Sequence, residues 1–301
     1  MSSPAQRHLD VRSTWSTRLS DYASIAKPKI AIFIGLAVAV GAFLAADARP
    51  DWVLVGHTVM GVLLAAISSS AFNQWLERDT DALMERTVDR PLPSGRMSER
   101  EVLGLGFVTG FVGIAQVWIF AGGLAALLTA ITLVSYVALY TPLKRRTSLN
   151  TLVGAVPGAL PPVIGWAAVA GEVPLGAWTL FAIIFVWQFP HFLAIAWIYR
   201  DDYSRAGLKM LPTIAGGQAL TARQVVGYSL VLVPVGLMPA SLGLAGPTYF
   251  VVAGLLGLTF LGTAVLFAFS PSLVAARRLL WTSLGYLPLI FMMLVLDHQL
   301  G

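Results

Sequence analysis

The chain contains no cysteine. Disulfides, thiolate metal sites and cysteine nucleophiles are therefore excluded. Charge is scarce as well: 12% of the 301 residues are Asp, Glu, Lys or Arg, against about 25% in a soluble domain. That leaves too little polar side chain to cover a water-exposed globule. A secretory signal is not expected, because residues 1–29 are polar, with Arg7, Arg12, Arg18, Lys27 and Lys29 beside Asp10 and Asp21. The acidic residues there also argue against a mitochondrial presequence and favour a bacterial protein. What fills the chain is apolar, at 57% hydrophobic residues. The net charge of +5 is confined to particular loops, so the expected partner is a lipid bilayer and not a nucleic acid.

A helix needs about 20 apolar residues to cross the hydrocarbon core. Stretches free of Asp, Glu, Lys and Arg run 30–46, 52–76, 102–143, 147–171, 173–199, 224–276 and 279–296. Two are long enough for a helix pair each, with breaks expected at Gly122-Gly123 and at Gly246-Pro247. Five singles and two pairs predict an all-α, polytopic bundle of nine transmembrane helices. Helices are the plausible spanning form, since lipid cannot satisfy open backbone groups. The expected organisation is a cytoplasmic N-terminal segment, 1–29, and one transmembrane domain, 30–301.

With nine spans, the alternate segments on the N-terminal side are 1–29, 77–101, 144–146, 200–223 and 277–278. They hold 19 of the 20 basic residues, and the other side has only Arg49. Eight or ten spans would scramble this asymmetry. The positive-inside rule then puts the N-terminus in the cytoplasm and the C-terminus on the far side of a bacterial inner membrane. Seven of the 15 acidic residues lie in 77–101, and Asp201 and Asp202 lie in 200–223. Loops that only turn the chain do not need carboxylates at such density, so the chemistry is expected there.

Asn73, Glu77 and Asp81 close the second span at spacing i, i+4, i+8. At about 100° per residue they share one helix face. Three oxygen donors in a row suit Mg²⁺, a hard cation that bridges to substrate phosphates. The bland alternative is a solvated helix end whose carboxylates pair with neighbouring arginines. Arg78, Arg86 and Arg90 follow closely, and such a mixture fits a diphosphate, with carboxylates on metal and guanidinium forks on phosphate oxygens. Asp79 points to the other face and is the weaker ligand. On the sixth span, His191 and Asp202 would share a face on an unbroken helix, about 16 Å apart along its axis, with Asp202 at the surface and His191 inside. An ionisable group at that depth is functional by default, and the alternative is a histidine that satisfies a neighbouring carbonyl. His57, nearer the far side, is expected to be structural.

These motifs resemble the UbiA superfamily of intramembrane prenyltransferases, and most closely its haem-farnesylating branch. Four stretches carry the resemblance: Asp21-Tyr22 with Lys27-Pro28-Lys29-Ile30; the run from Asp79 to Arg96; Tyr140-Thr141, Lys144-Arg145, Asn150, Gly154, Gly158, Pro161-Pro162 and Gly165-Trp166; and Pro190-His191-Phe192 with Asp202-Tyr203, Ala206-Gly207 and Met210-Leu211-Pro212. The similarity covers about residues 20–215, the last three spans matching in hydropathy only. Glu77 departs from the family's usual Asp by one methylene. His191 stands where the quinone-prenylating relatives carry an acid, which favours haem over a hydroxybenzoate.

The resemblance implies nine helices, farnesyl diphosphate as donor, haem b as acceptor (a substrate, not a cofactor) and haem O as product. It implies Mg²⁺ on Asn73, Glu77, Asp81 and Asp202. Diphosphate or substrate contacts would come from Arg78, Arg86, Arg90, Lys144, Arg145, Arg200 and Tyr203, and His191 would contact haem. Haem-modifying or terminal-oxidase assembly partners would fit such a role. The rivals are a sister enzyme acting on a quinone precursor or chlorophyllide, a transporter, and a haem chaperone. A transporter would place its ionisable groups near the midplane of two related halves, whereas nearly all charge here lies at one surface. A chaperone would have no need of the carboxylate–arginine cluster.

Overall fold

The computed structural model describes residues 15–46 and 49–300. Arg7, Asp10 and Arg12 lie outside the described residues, within which the chain is helical and has no strand. Its elements are α1 (Trp15–Ala26), α2 (Pro28–Ala45), α3 (Trp52–Asp81), α4 (Glu99–Val134), a π-helical stretch (Ser135–Tyr140), α5 (Thr141–Leu143), α6 (Asn150–Ala159), α7 (Pro161–Ala170), α8 (Leu175–Ile198), α9 (Arg200–Arg205), α10 (Gly217–Ser241), α11 (Pro247–Phe269) and α12 (Leu273–Leu300). The helix starts follow local chemistry. Pro28, Pro161 and Pro247 occupy first-turn positions that need no donor. Asp51 caps α3 by accepting from Val53 N at 2.9 Å, and Ser98 caps α4 by accepting from Glu101 N at 3.2 Å.

Eight helical segments among the described residues are long and apolar enough to cross a membrane. The difference from the expected nine lies in one of them, Glu99–Leu143, which is 45 residues long. Gly122 interrupts it with φ 86° and ψ 172°, a conformation open to glycine and closed to most side chains. The chain doubles back there: a Cβ placed on Gly110 would come 3.3 Å from Leu133 Cδ1, whereas a straight helix would hold these residues about 34 Å apart. The second expected break, at Gly246-Pro247, separates α10 from α11. Pro161-Pro162 divides the 147–171 stretch into α6 and α7 at Leu160, but α8 passes through Pro190 without a break. Arg277 and Arg278, expected in a connecting loop, lie inside α12.

The helices close a ring. α2 packs on α3 and α7, α4 on α3, α6 on the π-helical stretch, α8 on α6, α10 and α12, α11 between α10 and α12, and α12 returns to α2. Lipid offers no hydrophobic force between helices, so close backbone approach and small residues hold such contacts. At the α2–α7 crossing, Gly41 meets the Pro162 carbonyl and Gly165 the Val38 carbonyl, leaving no room for a side chain on either glycine. At one end of the ring lie the C-terminus of α3, residues 82–98, α5, α9 and the 206–214 turn. α1 is tied to that end as well, by Asp21 to Arg96 at 2.8 Å and Arg18 to Glu101 at 3.1 Å.

Candidate active site

The last three turns of α3 supply the first donors. Asn73 is buried, and its amide nitrogen donates to Thr141 Oγ1 at 3.1 Å. The Thr141 hydroxyl gives its single proton to the Tyr136 carbonyl, 2.9 Å away, so it can only accept from Asn73. This fixes the amide, and Asn73 Oδ1 carries no hydrogen bond among the described residues. The π-helical stretch is what delivers Tyr136 and Thr141 to this point, and π-turns often mark functional sites. Gly154 seats the adjacent Tyr140 ring; a Cβ there would come within 2.5 Å of Tyr140 Cδ2.

Glu77 and Asp81 are buried carboxylates, each held by a cation. Lys144 Nζ lies 2.9 Å from Glu77 Oε1 and over the face of Tyr140 at 4.7 Å. Burial by itself would lower the Lys144 pKa, but the Glu77 carboxylate and the Tyr140 and Tyr136 side chains outweigh it, so the ammonium is held above its ordinary value. Arg90 Nη1 lies 2.6 Å from Asp81 Oδ2, while Asp81 Oδ1 is buried without a hydrogen-bond partner among the described residues. The segment 82–98 caps this pair. Thr87 Oγ1 donates to the Asp81 carbonyl at 2.8 Å, and Arg96 braces the segment by donating to the Asp89 carbonyl at 2.7 Å while paired with Asp21.

The second acidic motif meets the first through this cap. The helix is broken at Tyr199 (φ −106°, ψ 23°), so His191 and Asp202 are not on one continuous helix and Asp202 belongs to α9. Asp202 pairs with Arg205, which also reaches Glu85 at 3.3 Å. Met84 packs among Ala196, Tyr203, Ala206, Leu208 and Met210. The Arg86 guanidinium sits over the rings of Tyr199 and Tyr203, 4.9 and 5.2 Å from their centres. Lys209 N donates to the Lys144 carbonyl at 2.8 Å, and Asn150 reaches the Lys209 carbonyl at 3.1 Å. Parts of all four stretches singled out in the sequence therefore meet at one rim of the ring, while Pro161-Pro162 and Gly165-Trp166 lie deeper, along α7.

Not every expected residue joins them. Arg78 is turned to the outside, paired with Glu99 at 3.2 Å and donating to the Trp75 carbonyl at 2.9 Å. Arg200 donates to the Trp197 carbonyl at 3.0 Å and lies over that indole. Arg145 is exposed. Among the described residues no three acidic or histidine side chains form a ready metal nest; Glu77, Asp81 and Asp202 are each paired with a cation. His57 lies against Phe120 and Gln116 on the α3–α4 hairpin, away from this rim. Lys27 was not singled out as a site residue, yet it is half-buried and close enough to Arg90, Lys144, Glu77 and Asp81 for its pKa to respond to them. Its backbone is left-handed (φ 48°), rare for a residue with a side chain. The Lys-Pro pair heading the first span was its only sequence signal.

A closed ring of apolar helices, with buried carboxylates and cations gathered at one rim, is the arrangement of a membrane-embedded enzyme. Residues 34–294 match the sequence profile of the UbiA prenyltransferase family, and the chain belongs to that family. It is 45% identical to the protoheme IX farnesyltransferase of Solibacter usitatus over 93% of this chain and 99% of that protein. With the protoheme IX farnesyltransferase of Koribacter versatilis it shares 39% identity over the whole of both chains. The match thus extends through the last three spans, beyond residues 20–215 that carry the recognisable motifs. Among solved structures, a digeranylgeranylglyceryl phosphate synthase superposes with TM-score 0.78 at 14% identity, covering 94% of this chain and 99% of that one. A UbiA homologue from Archaeoglobus fulgidus, solved with DMAPP and Mg²⁺, superposes with TM-score 0.65 at 16% identity, covering 92% and 97%. At such identities these two structures speak for the fold.

Proposed function

We propose that this enzyme transfers the farnesyl group of farnesyl diphosphate to a vinyl group of haem b, giving haem O. The observation that carries the reading is the set of paired charges at the rim, in a chain so similar to protoheme IX farnesyltransferases over its whole length. Mg²⁺ fits the donor set. Among the described residues Asn73 Oδ1 carries no hydrogen bond, and Asp81 Oδ1 is buried and lacks a partner. All the donors are hard oxygens. Asn73, Glu77, Asp81 and Asp202 would hold it, and bound there it would offset the charge of the diphosphate.

The chain's own residues do the rest. Lys144, Arg90 and Arg205 now neutralise carboxylates, and they are the groups able to turn to phosphate oxygens when the diphosphate arrives. No buried charge is then left unpaired at any stage, which avoids a cost of several kcal/mol per ion. Arg86, held between two tyrosines and exposed, is a further anion contact. These cations favour departure of diphosphate with the electron pair of the C–O bond, because their attraction grows as charge develops. The π faces of Tyr136 and Tyr140, centred 5.0 Å apart beside Lys144, suit the allylic cation left behind. The apolar ring keeps water from quenching it. The vinyl π pair forms the new C–C bond, and water adds to the resulting cation and loses a proton, leaving a hydroxyethyl carbon.

The doubling back at Gly122 supports nine crossings, and the loop charges support a cytoplasmic rim with the N-terminus on that side of a bacterial inner membrane. Residues 1–29 would then form a cytoplasmic segment before one transmembrane domain. The test is expression in a cell lacking haem O, followed by mass spectrometry of extracted haems. Haem O is expected. Its absence, with transfer to a quinone precursor by the purified protein and labelled farnesyl diphosphate, would reassign the acceptor.

A further inference from the structure

His191 takes no part in the reaction steps above, and the structure determines which of its two nitrogens is presented. It sits seven residues before the end of α8, about 10 Å from that end. Two neighbours define the face it occupies. Gln188 Nε2 donates to the Ala155 carbonyl of α6 at 3.1 Å, and Trp187 Nε1 donates to the Ser283 carbonyl of α12 at 2.8 Å. At about 100° per residue, His191 lies between these two directions, so it faces the space between α6 and α12 on the inner side of the ring. The Trp187 indole stacks on the imidazole, with centres 4.7 Å apart and planes 20° apart.

Its Nδ1 lies 2.8 Å from Ser283 Oγ. That hydroxyl is 2.6 Å from the Leu280 carbonyl, to which it gives its only proton. Ser283 can therefore only accept from the ring, so Nδ1 carries the proton and Nε2 carries the lone pair. Nε2 makes no hydrogen bond among the described residues, and His191 is half-buried, so this edge is open. A lone pair repels carboxylates and phosphates, so neither a propionate nor the diphosphate suits the edge. A Lewis-acidic centre does. Imidazoles that ligate metals commonly donate their other N–H to such an acceptor, which fixes tautomer and ring angle.

We propose that His191 Nε2 is the axial donor to the iron of the acceptor haem, and that Ser283, on the last helix, is the positioning residue that presents it. The inference rests on the haem-acceptor reading above. Ligation would anchor the macrocycle inside the ring with one edge turned to the rim where the farnesyl cation forms, and it gives α12 a part in the chemistry.

The test uses the full-length protein in detergent, titrated with haem b and followed by Soret absorption and by the iron–nitrogen stretch in resonance Raman spectra. Farnesyl transfer is assayed in parallel. His191→Ala is expected to lose the nitrogen-ligated spectrum and to regain it when imidazole is added. Ser283→Ala is expected to lower haem affinity by about 10–100-fold and to shift the stretch to lower frequency. Ser283→Thr, which keeps the hydroxyl, restores both. A wild-type spectrum in His191→Ala, or wild-type affinity and stretch in Ser283→Ala, overturns the proposal and leaves the haem reading standing. A wild-type protein that neither binds haem nor makes haem O removes the haem reading itself, and this inference with it.

Discussion

The Glu77–Lys144 pair offers the sharpest separation of stability from catalysis. Their side chains are 10% and 15% exposed and 2.9 Å apart, so each charge depends on the other. Replacing Lys144 with Met leaves the Glu77 carboxylate buried without its cation, and breaking such a pair costs about 3–5 kcal/mol. Replacing both, as Glu77→Gln with Lys144→Met, removes that penalty, and hydrophobic or neutral replacements of a buried pair are often close to neutral. Catalysis should not recover in parallel, because the proposed diphosphate contact and the proposed metal donor are both gone. Loss of one preorganised electrostatic group costs about 10²–10³ in turnover, so the double variant should be as stable as the parent and at least that much slower. The pH cannot replace the mutation. The Lys144 pKa is raised, so its contribution to stability is complete below the unfolded value of about 10.4 and is lost only as pH climbs through the higher folded value. Thermal unfolding in detergent and a farnesyl-transfer assay give the two readouts. A double variant with parental turnover, or a single variant as stable as the parent, would refute the reasoning.

Asp81→Ala should abolish haem O while the protein still inserts, since the side chain is fully buried at the rim and pairs with Arg90; normal product in mass spectra would remove Asp81 from the site. Burial, together with Arg90 and Lys144, lowers the Lys27 pKa to about 7, against the pull of Glu77 and Asp81. Between that value and its unfolded value of about 10.4 the unfolded chain holds more protons, so this group makes stability rise with pH across the window. An incoming diphosphate should recharge it, so calorimetry at pH 8 in buffers of different ionisation enthalpy should show proton uptake that Lys27→Met lacks. Arg86→Ala should weaken diphosphate use more than haem binding, and equal losses would contradict that division. Gly154→Val should lower turnover by displacing the Tyr140 ring, with a smaller effect from Gly154→Ala.

The fold was legible because its signals are local. Apolar runs gave the spans, and paired glycines at 122 and 123 marked a reversal that the left-handed backbone of Gly122 carries out. Asn73, Glu77 and Asp81 share a face at a spacing any helix would impose, so that face could be read as well. Periodicity failed at Tyr199, where nothing in the apolar run from Trp187 to Ile198 announces that the helix stops short of Asp202. It also could not say which arginine turns inward. Arg78 is three residues from Asp81 and faces Glu99, while Arg90 is nine residues away and holds Asp81. The partners that define the site are separated by 67 residues for Glu77 and Lys144, and by 92 for His191 and Ser283. Such pairings depend on ring closure, which no single helix records. Sequence could therefore name the donors of charge at this rim but not their partners, and the partners decide what each donor is free to bind. Among the described residues, Asn73 has its amide nitrogen held by Thr141 and its oxygen free, and His191 has Nδ1 held by Ser283 and Nε2 free. In both, a hydroxyl that spends its own proton on a carbonyl turns an ambiguous side chain into one with a defined lone pair.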